Sequence, residues 1–164
     1  GMGSVISQDH RNKVESYIRL AQEEGGRVLV GGTSADAPVA GVPKHGAFLR
    51  PTVIEGLSHT SRTATEEIFG PVVTLHPFHS EDEAVEMANA TEYGLAGSVW
   101  SKDSDRGHRL AQRLDTGIVW VNTWLNRDLR TPFGGVKQSG VGREGGAWSV
   151  NFFSELTNIC VQQP

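Results

Sequence analysis

Three stretches of this chain hold residue types capable of chemistry. Glu66-Glu67-Ile68-Phe69-Gly70-Pro71 sets two carboxylates and an aromatic ring just before a Gly-Pro turn. Read by itself, the Glu-Glu pair is solvated surface and the Phe beside the turn is core. Pro132-Phe133-Gly134-Gly135-Val136-Lys137-Gln138-Ser139-Gly140, continuing to Gly142-Arg143-Glu144, is rich in glycine. It does not meet the phosphate-cradling order, in which four residues separate a first Gly from Gly-Lys-Ser/Thr. Gly140, Gly142 and Gly145 have dinucleotide-fingerprint spacing, but no strand directly precedes them. These glycines therefore read as tight turns and close backbone packing. The third stretch, Trp124-Leu125-Asn126-Arg127-Asp128-Leu129-Arg130-Thr131, carries two arginines that by themselves read as exposed loop charge. His76 and His79 form His-x-x-His on a strand ending at Pro77. Residues three apart on a strand face opposite sides, which argues against a metal pair. The single cysteine, Cys160, stands in the final strand outside any glycine-rich nucleophile loop and reads as a small buried apolar residue.

Positioning such groups requires a folded scaffold, and 164 residues suffice for one domain with a real core. Hydrophobic residues at 37% and charged residues at 21% give a globular rather than a disordered profile. The net charge of -4 and pI near 5.8 argue against a nucleic-acid partner, which needs a basic surface. No apolar run approaches the ~18 residues of a membrane span, so no membrane partner is expected. The first residues show no charged-then-apolar signal pattern, and one cysteine fits a reducing cytoplasm. Gly1 before Met2 reads as a tag remnant, with Met2 the encoded start, an internal Met, or the start of a truncated or misannotated gene.

The elements follow from spacing. Val14, Tyr17, Ile18 and Ala21 obey the i, i+3, i+4, i+7 rule of an amphipathic helix, with Ser7 as its cap and Gly25-Gly26 as its stop. Arg27–Val30 is a strand ended by Gly31-Gly32, and residues 33–44 form a surface loop. Phe48–Ile54, interrupted by Pro51, suits an edge strand. Val72–Leu75 is a short strand. Ser80 and Glu83 form a capping box for a second helix. Leu95–Trp100 is a strand, and Asp103 or Ser104 caps a third helix carrying Leu110, Ala111 and Leu114. Ile118–Val121 is a continuous apolar strand of the kind buried on both faces of a parallel sheet. A last strand spans about Thr157–Gln162. Alternating strands and helices indicate an α/β layered fold.

The order and spacing of these segments resemble the aldehyde dehydrogenase superfamily from end to end of the chain. The opening Met2-Gly3-Ser4-Val5-Ile6-Ser7 with its helix, the Glu66–Pro71 motif, Ile118-Val119-Trp120-Val121-Asn122 and the glycine-rich segment carry the resemblance together. It implies the C-terminal part of the catalytic domain, a layered sheet with flanking helices over residues 1–155, and a tail strand for subunit contact over residues 156–164. It also implies that Glu67 accepts the nicotinamide ribose hydroxyls of NAD or NADP and that Phe69 packs near the ring. Phe133 would help wall the active-site mouth. Arg143 and Glu144 would form a buried or half-buried ion pair, or Glu144 would stand on a water path. The 124–131 loop looks like the substrate loop of dehydrogenases for 2-hydroxymuconic or 2-aminomuconic semialdehyde. There Arg127 and Arg130 would grip a substrate carboxylate, with Trp124 lining the pocket; Asn126 departs from the apolar residue usual at its position. In the family the cysteine nucleophile, its general base, the oxyanion-holding Asn and the pyrophosphate site all match upstream of Met2. The expectations are therefore no catalytic residue here, no cofactor bound to this chain alone, and no turnover. The chain would self-associate as a dimer or higher oligomer through its tail and the face around Ile118–Val121, or assemble with a separate N-terminal half. A non-catalytic interaction module is the alternative.

Overall fold

The computed structural model describes residues 2–35, 38–43 and 45–163. They form two compact units, residues 1–90 and residues 91–164. The expected 33–44 loop lies partly outside the described residues, as do Gly1 and the last residue of the expected tail.

In the first unit, helix α1 spans Gln8–Glu23, and the Ser7 hydroxyl accepts the His10 amide at 3.1 Å to cap it. Strand β1, Arg27–Val30, runs antiparallel to β2, Thr52–Glu55, which runs parallel to β3, Val72–Leu75. The sheet order is β1-β2-β3, so β2 is central, correcting the edge strand expected over Phe48–Ile54. Pro51 sits one residue before the ladder and removes none of its donors. Thr52 is buried, its hydroxyl accepting the Gly32 amide at 3.1 Å and donating to the Arg50 carbonyl at 3.1 Å. Gly31, at φ +81°, is required at that crossing, because a Cβ there would lie 2.3 Å from the Pro51 carbonyl oxygen.

The α1 stripe read from the sequence packs onto this sheet. Val14, Ile18 and Leu49 form one buried cluster, with Val28, Ile68 and Val72 against it. Ala21, Ile54 and Leu57 form a second. Glu15 on the same helix is buried too, and its carboxylate takes the Ser34 amide at 3.1 Å and the Arg11 guanidinium at 3.2 Å. Burial acts to raise its pKa, but these bonds together hold it below the ordinary carboxylate value. Helix α2, Arg62–Thr65, was not foreseen. It is capped twice, by Ser61 and by Glu24 at the end of α1, whose carboxylate takes the Arg62 and Thr63 amides at 2.9 and 3.2 Å. Helix α3, Glu81–Asn89, is capped by Ser80 as read. Its Glu83 reaches back one residue further than a capping box does, to the His79 amide at 2.7 Å.

In the second unit, strands β4 (Tyr93–Gly94) and β7 (Val136–Lys137) pair antiparallel. Strands β5 (Ala96–Val99) and β6 (Ile118–Val121) pair in parallel and are joined through helix α4, Ser104–Ala111, capped by Asp103. A parallel pair needs such a crossover. The helix stops at Ala111, short of Leu114. Of β6 only Trp120 is buried, because β5 is its one hydrogen-bonded neighbour among the described residues. Helix α5, Gly146–Phe153, was not foreseen. Residues 154–163 carry no ladder, so the strand expected over Thr157–Gln162 does not form within the single chain. Cys160 is exposed there, correcting the buried reading.

Candidate functional site

The Glu66–Pro71 segment leaves α2 in extended conformation, and its side chains alternate. Glu66 and Ile68 turn inward. The Glu66 carboxylate takes Arg62 Nε at 2.7 Å, Arg62 Nη2 at 3.1 Å and the Tyr17 hydroxyl at 2.7 Å. The Arg62 bond first, then the Tyr17 bond, hold this carboxyl below its usual range. Ile68 packs on the core. Glu67 and Phe69 turn outward. Among the described residues the exposed Glu67 carboxylate has no hydrogen bond or ion pair, while its backbone carbonyl accepts Lys13 Nζ at 3.1 Å. Phe69 is 74% exposed and holds φ at +57°, a left-handed conformation costing roughly 1–2 kcal/mol outside glycine. Its carbonyl accepts His10 Nε2 at 2.7 Å, and the two rings meet edge to face at 6.0 Å. Gly70 then passes so close to α1 that a Cβ would stand 2.5 Å from Val14 Cγ2. The pair of glutamates that the sequence leaves undivided is thus divided by the fold. Glu66 is structural, and Glu67 is an open acceptor beside an exposed ring. A carboxylate of that kind can accept two vicinal hydroxyls at once.

The second unit gathers a different set. The Arg127 guanidinium lies 3.8 Å from the Phe133 ring centre and 3.2 Å from the Glu144 carboxylate. Phe133 and Glu144 are held opposite each other by reciprocal backbone bonds, both 2.8 Å. Trp124 meets Trp120 edge to face at 4.9 Å, and Trp120 Nε1 donates to the Asn126 carbonyl at 2.8 Å. Arg130 does not join them. It turns back on Asp128, with bonds from 2.5 to 3.1 Å, and lowers that carboxyl's pKa. Arg143 and Glu144 do not form the ion pair expected of them. Arg143 donates to the Gly135 and Gly142 carbonyls, both at 2.8 Å, while Glu144 takes Arg127. Consecutive residues of an extended segment point to opposite sides, so neighbours in sequence reach different partners. A groove of about 440 Å³ runs past Phe133, Arg143 and Glu144 to Phe152 and Phe153.

Asn122 was missed as a loop anchor. At φ +55°, it bonds the Ser101 amide and carbonyl through its side-chain amide, each at 2.8 Å, and fixes the root of the 124–131 loop. Tyr17 was read only as part of the α1 stripe, and His10 and Lys13 were not singled out as contacts. Their spacing put them on one helix face, but nothing local named their partners. His76 Nε2 lies 3.0 Å from the Thr74 hydroxyl, and among the described residues no group of three or more His, Cys, Asp or Glu could hold a metal. No helix among them is long and apolar enough to cross a membrane.

The chain belongs to the aldehyde dehydrogenase family, whose family model matches residues 1–159. Among curated relatives it is 51% identical to a 2-aminomuconic 6-semialdehyde dehydrogenase of Pseudomonas sp, over 98% of this chain and 32% of that protein. It is also 51% identical to a 2-hydroxymuconic semialdehyde dehydrogenase of Pseudomonas sp. (strain CF600), with the same coverage. The chain thus spans about a third of the length of these relatives. Among solved structures, the NAD+ complex of a betaine aldehyde dehydrogenase point mutant from Staphylococcus aureus superposes with a TM-score of 0.87 at 44% identity, covering 93% of this chain and 30% of that one. The NAD+ complex of a Mycobacterium tuberculosis aldehyde dehydrogenase gives 0.84 at 40% identity, covering 94% and 31%.

Proposed function

We propose that these residues are the C-terminal third of an NAD(P)-dependent aldehyde dehydrogenase that oxidises a carboxylated semialdehyde to its acid. The observation that carries this reading is the 51% identity to muconic-type semialdehyde dehydrogenases across 98% of the chain. In such an enzyme a cysteine thiolate attacks the aldehyde, and bound NAD(P) supplies the hydride acceptor. This chain's share is positional. Glu67 accepts the ribose hydroxyls and Phe69 stands against the ring, a fit supported by the open carboxylate and the exposed aromatic. Phe133 and Trp124 line the substrate side. Arg127, fixed over Phe133, holds the substrate carboxylate through two parallel N–H donors. Both arginines are paired here, Arg127 with Glu144 and Arg130 with Asp128, and it is the stacking of Arg127 on Phe133 that favours it over Arg130 for that task. The 164 residues carry no nucleophile or general base matching the family's, so alone they are inactive and hold no cofactor. Reading them as half of a split enzyme, or as an interaction module, rests on the same gap.

The substrate class is tested by Arg127→Met in a preparation where the chain is joined to the remainder of an aldehyde dehydrogenase. A charged bidentate contact contributes about 1.5–3 kcal/mol. KM for a carboxylated semialdehyde should therefore rise about 10- to 100-fold, while an uncharged aldehyde stays within about threefold. An equal loss on both substrates would contradict the carboxylate role.

Self-association belongs to the same reading. Trp148, Phe152, Phe153, Leu156, Ile159 and Val161 are each more than half exposed. Exposed apolar side chains recurring along one segment are covered most readily by a second copy. Light scattering should give a dimer or larger species that shrinks when residues 156–164 are removed. A strictly monomeric full chain at high concentration would refute this.

A further inference from the structure

The Glu66–Pro71 segment is held from one side by a single face of α1. His10, Lys13, Val14 and Tyr17 stand at i, i+3, i+4 and i+7, the spacing that aligns side chains along one helical face. His10 Nε2 reaches the Phe69 carbonyl at 2.7 Å, Lys13 Nζ the Glu67 carbonyl at 3.1 Å, and Tyr17 the Glu66 carboxylate at 2.7 Å. Val14 closes the space under Gly70, so no residue with a side chain fits there without displacement. These contacts surround an exposed phenylalanine that keeps a left-handed backbone. The conformation persists only where its surroundings over-determine it.

We propose that His10, Lys13 and Tyr17 are positioning residues, a three-point clamp by which α1 fixes the backbone of Glu67 and Phe69 so that their side chains point outward together. The clamp's use rests on the reading of Glu67 and Phe69 as a cofactor wall; its existence does not. A carbonyl only accepts, so His10 Nε2 carries a proton and donates it to the Phe69 carbonyl. Lys13 meets Glu67 through its backbone, which leaves the carboxylate free for a ligand. Tyr17 helps Arg62 hold Glu66, so that the other glutamate of the pair faces out. None of the three need touch a ligand.

The test is backbone NMR on the full 164-residue chain. The one-bond Cα–Hα coupling of Phe69 distinguishes positive from negative φ. His10→Ala should move it to the value of negative φ, with increased amide exchange across 67–70 and little change in Tm, because His10 lies at the helix surface. His10→Gln, whose amide nitrogen can donate from a similar place, should restore the wild-type coupling. Mere packing of the imidazole ring would not be rescued by glutamine. Lys13→Met, at an exposed site, should loosen Glu67 alone. The proposal is overturned if Phe69 keeps its positive φ in His10→Ala, or if His10→Gln behaves as alanine does. The cofactor reading is examined separately, by NAD affinity of Glu67→Gln in the joined enzyme. An unchanged affinity there overturns the ribose contact and leaves the clamp standing.

Discussion

Gly117→Ala is expected to destabilise the second unit by about 3 kcal/mol, the upper end of the usual range for overpacking. A Cβ at this position would lie 1.6 Å from the Gly134 carbonyl oxygen and 3.2 Å from Gly135 Cα. Both neighbours are backbone, so no rotamer change can relieve the overlap. Relief requires the start of β6 to separate from the glycine-rich segment, which would pull on the bond from the Gly117 amide to the Gly94 carbonyl at 3.0 Å. It would also displace Phe133, and with it the stacked Arg127. Gly142→Ala is the matched control, because a Cβ there meets nothing within 4 Å. It should stay within about 0.5 kcal/mol of the parent. Denaturant midpoints for the two variants, read with the near-ultraviolet signal of Trp120 and Trp124, check this. If the two variants unfold together, the close approach at Gly117 is not what holds the segment.

Much of the first unit is legible in its sequence, because its signals are local. The α1 stripe of Val14, Ile18 and Ala21 is buried as its spacing requires, and Ser7 and Ser80 cap the helices they precede. What is not legible depends on distant partners. Pro51 marks Phe48–Ile54 as an edge only if it lies within the ladder, and the ladder begins at Thr52. Helix α5 opens with Gly145 and Gly146, both at positive φ, and has no side-chain cap, so it lacks the usual start signal. Thr157–Gln162 reads as a strand from its residues alone, but a ladder needs a partner edge, and no strand pairs with it among the described residues.

The candidate site divides along the same line. Glu67, Phe69, Phe133 and Arg127 were reached through resemblance; the fold exposes Glu67 and Phe69 and stacks Arg127 on Phe133. Arg130, Arg143 and Glu144 were named from the same motifs, yet side-chain direction sends them elsewhere. Arg130 closes on Asp128, Arg143 on two carbonyls, and Glu144 on Arg127. The helix face that holds the cofactor motif went unread, because His10 lies 59 residues from Phe69. Spacing along a helix shows which residues share a face, but not what that face will meet.

The other large effect concerns turnover. On the proposed function, these residues supply walls of an aldehyde dehydrogenase site but not its nucleophile or phosphate-binding half. Glu67 and Phe69 alone offer a cofactor few contacts, without the helix start that receives a pyrophosphate. The direct measurement is NADH formation from a muconic-type semialdehyde, with the chain alone and with the chain joined to the upstream two-thirds of a relative such as the 2-hydroxymuconic semialdehyde dehydrogenase. The chain alone should match a protein-free blank and show no saturable NAD isotherm at millimolar cofactor. The joined protein should turn over, and Glu67→Gln should lower its kcat/KM about 10- to 100-fold, the size of a lost charge-assisted hydrogen bond. Steady NADH formation by the 164 residues alone, above the blank, would contradict the account.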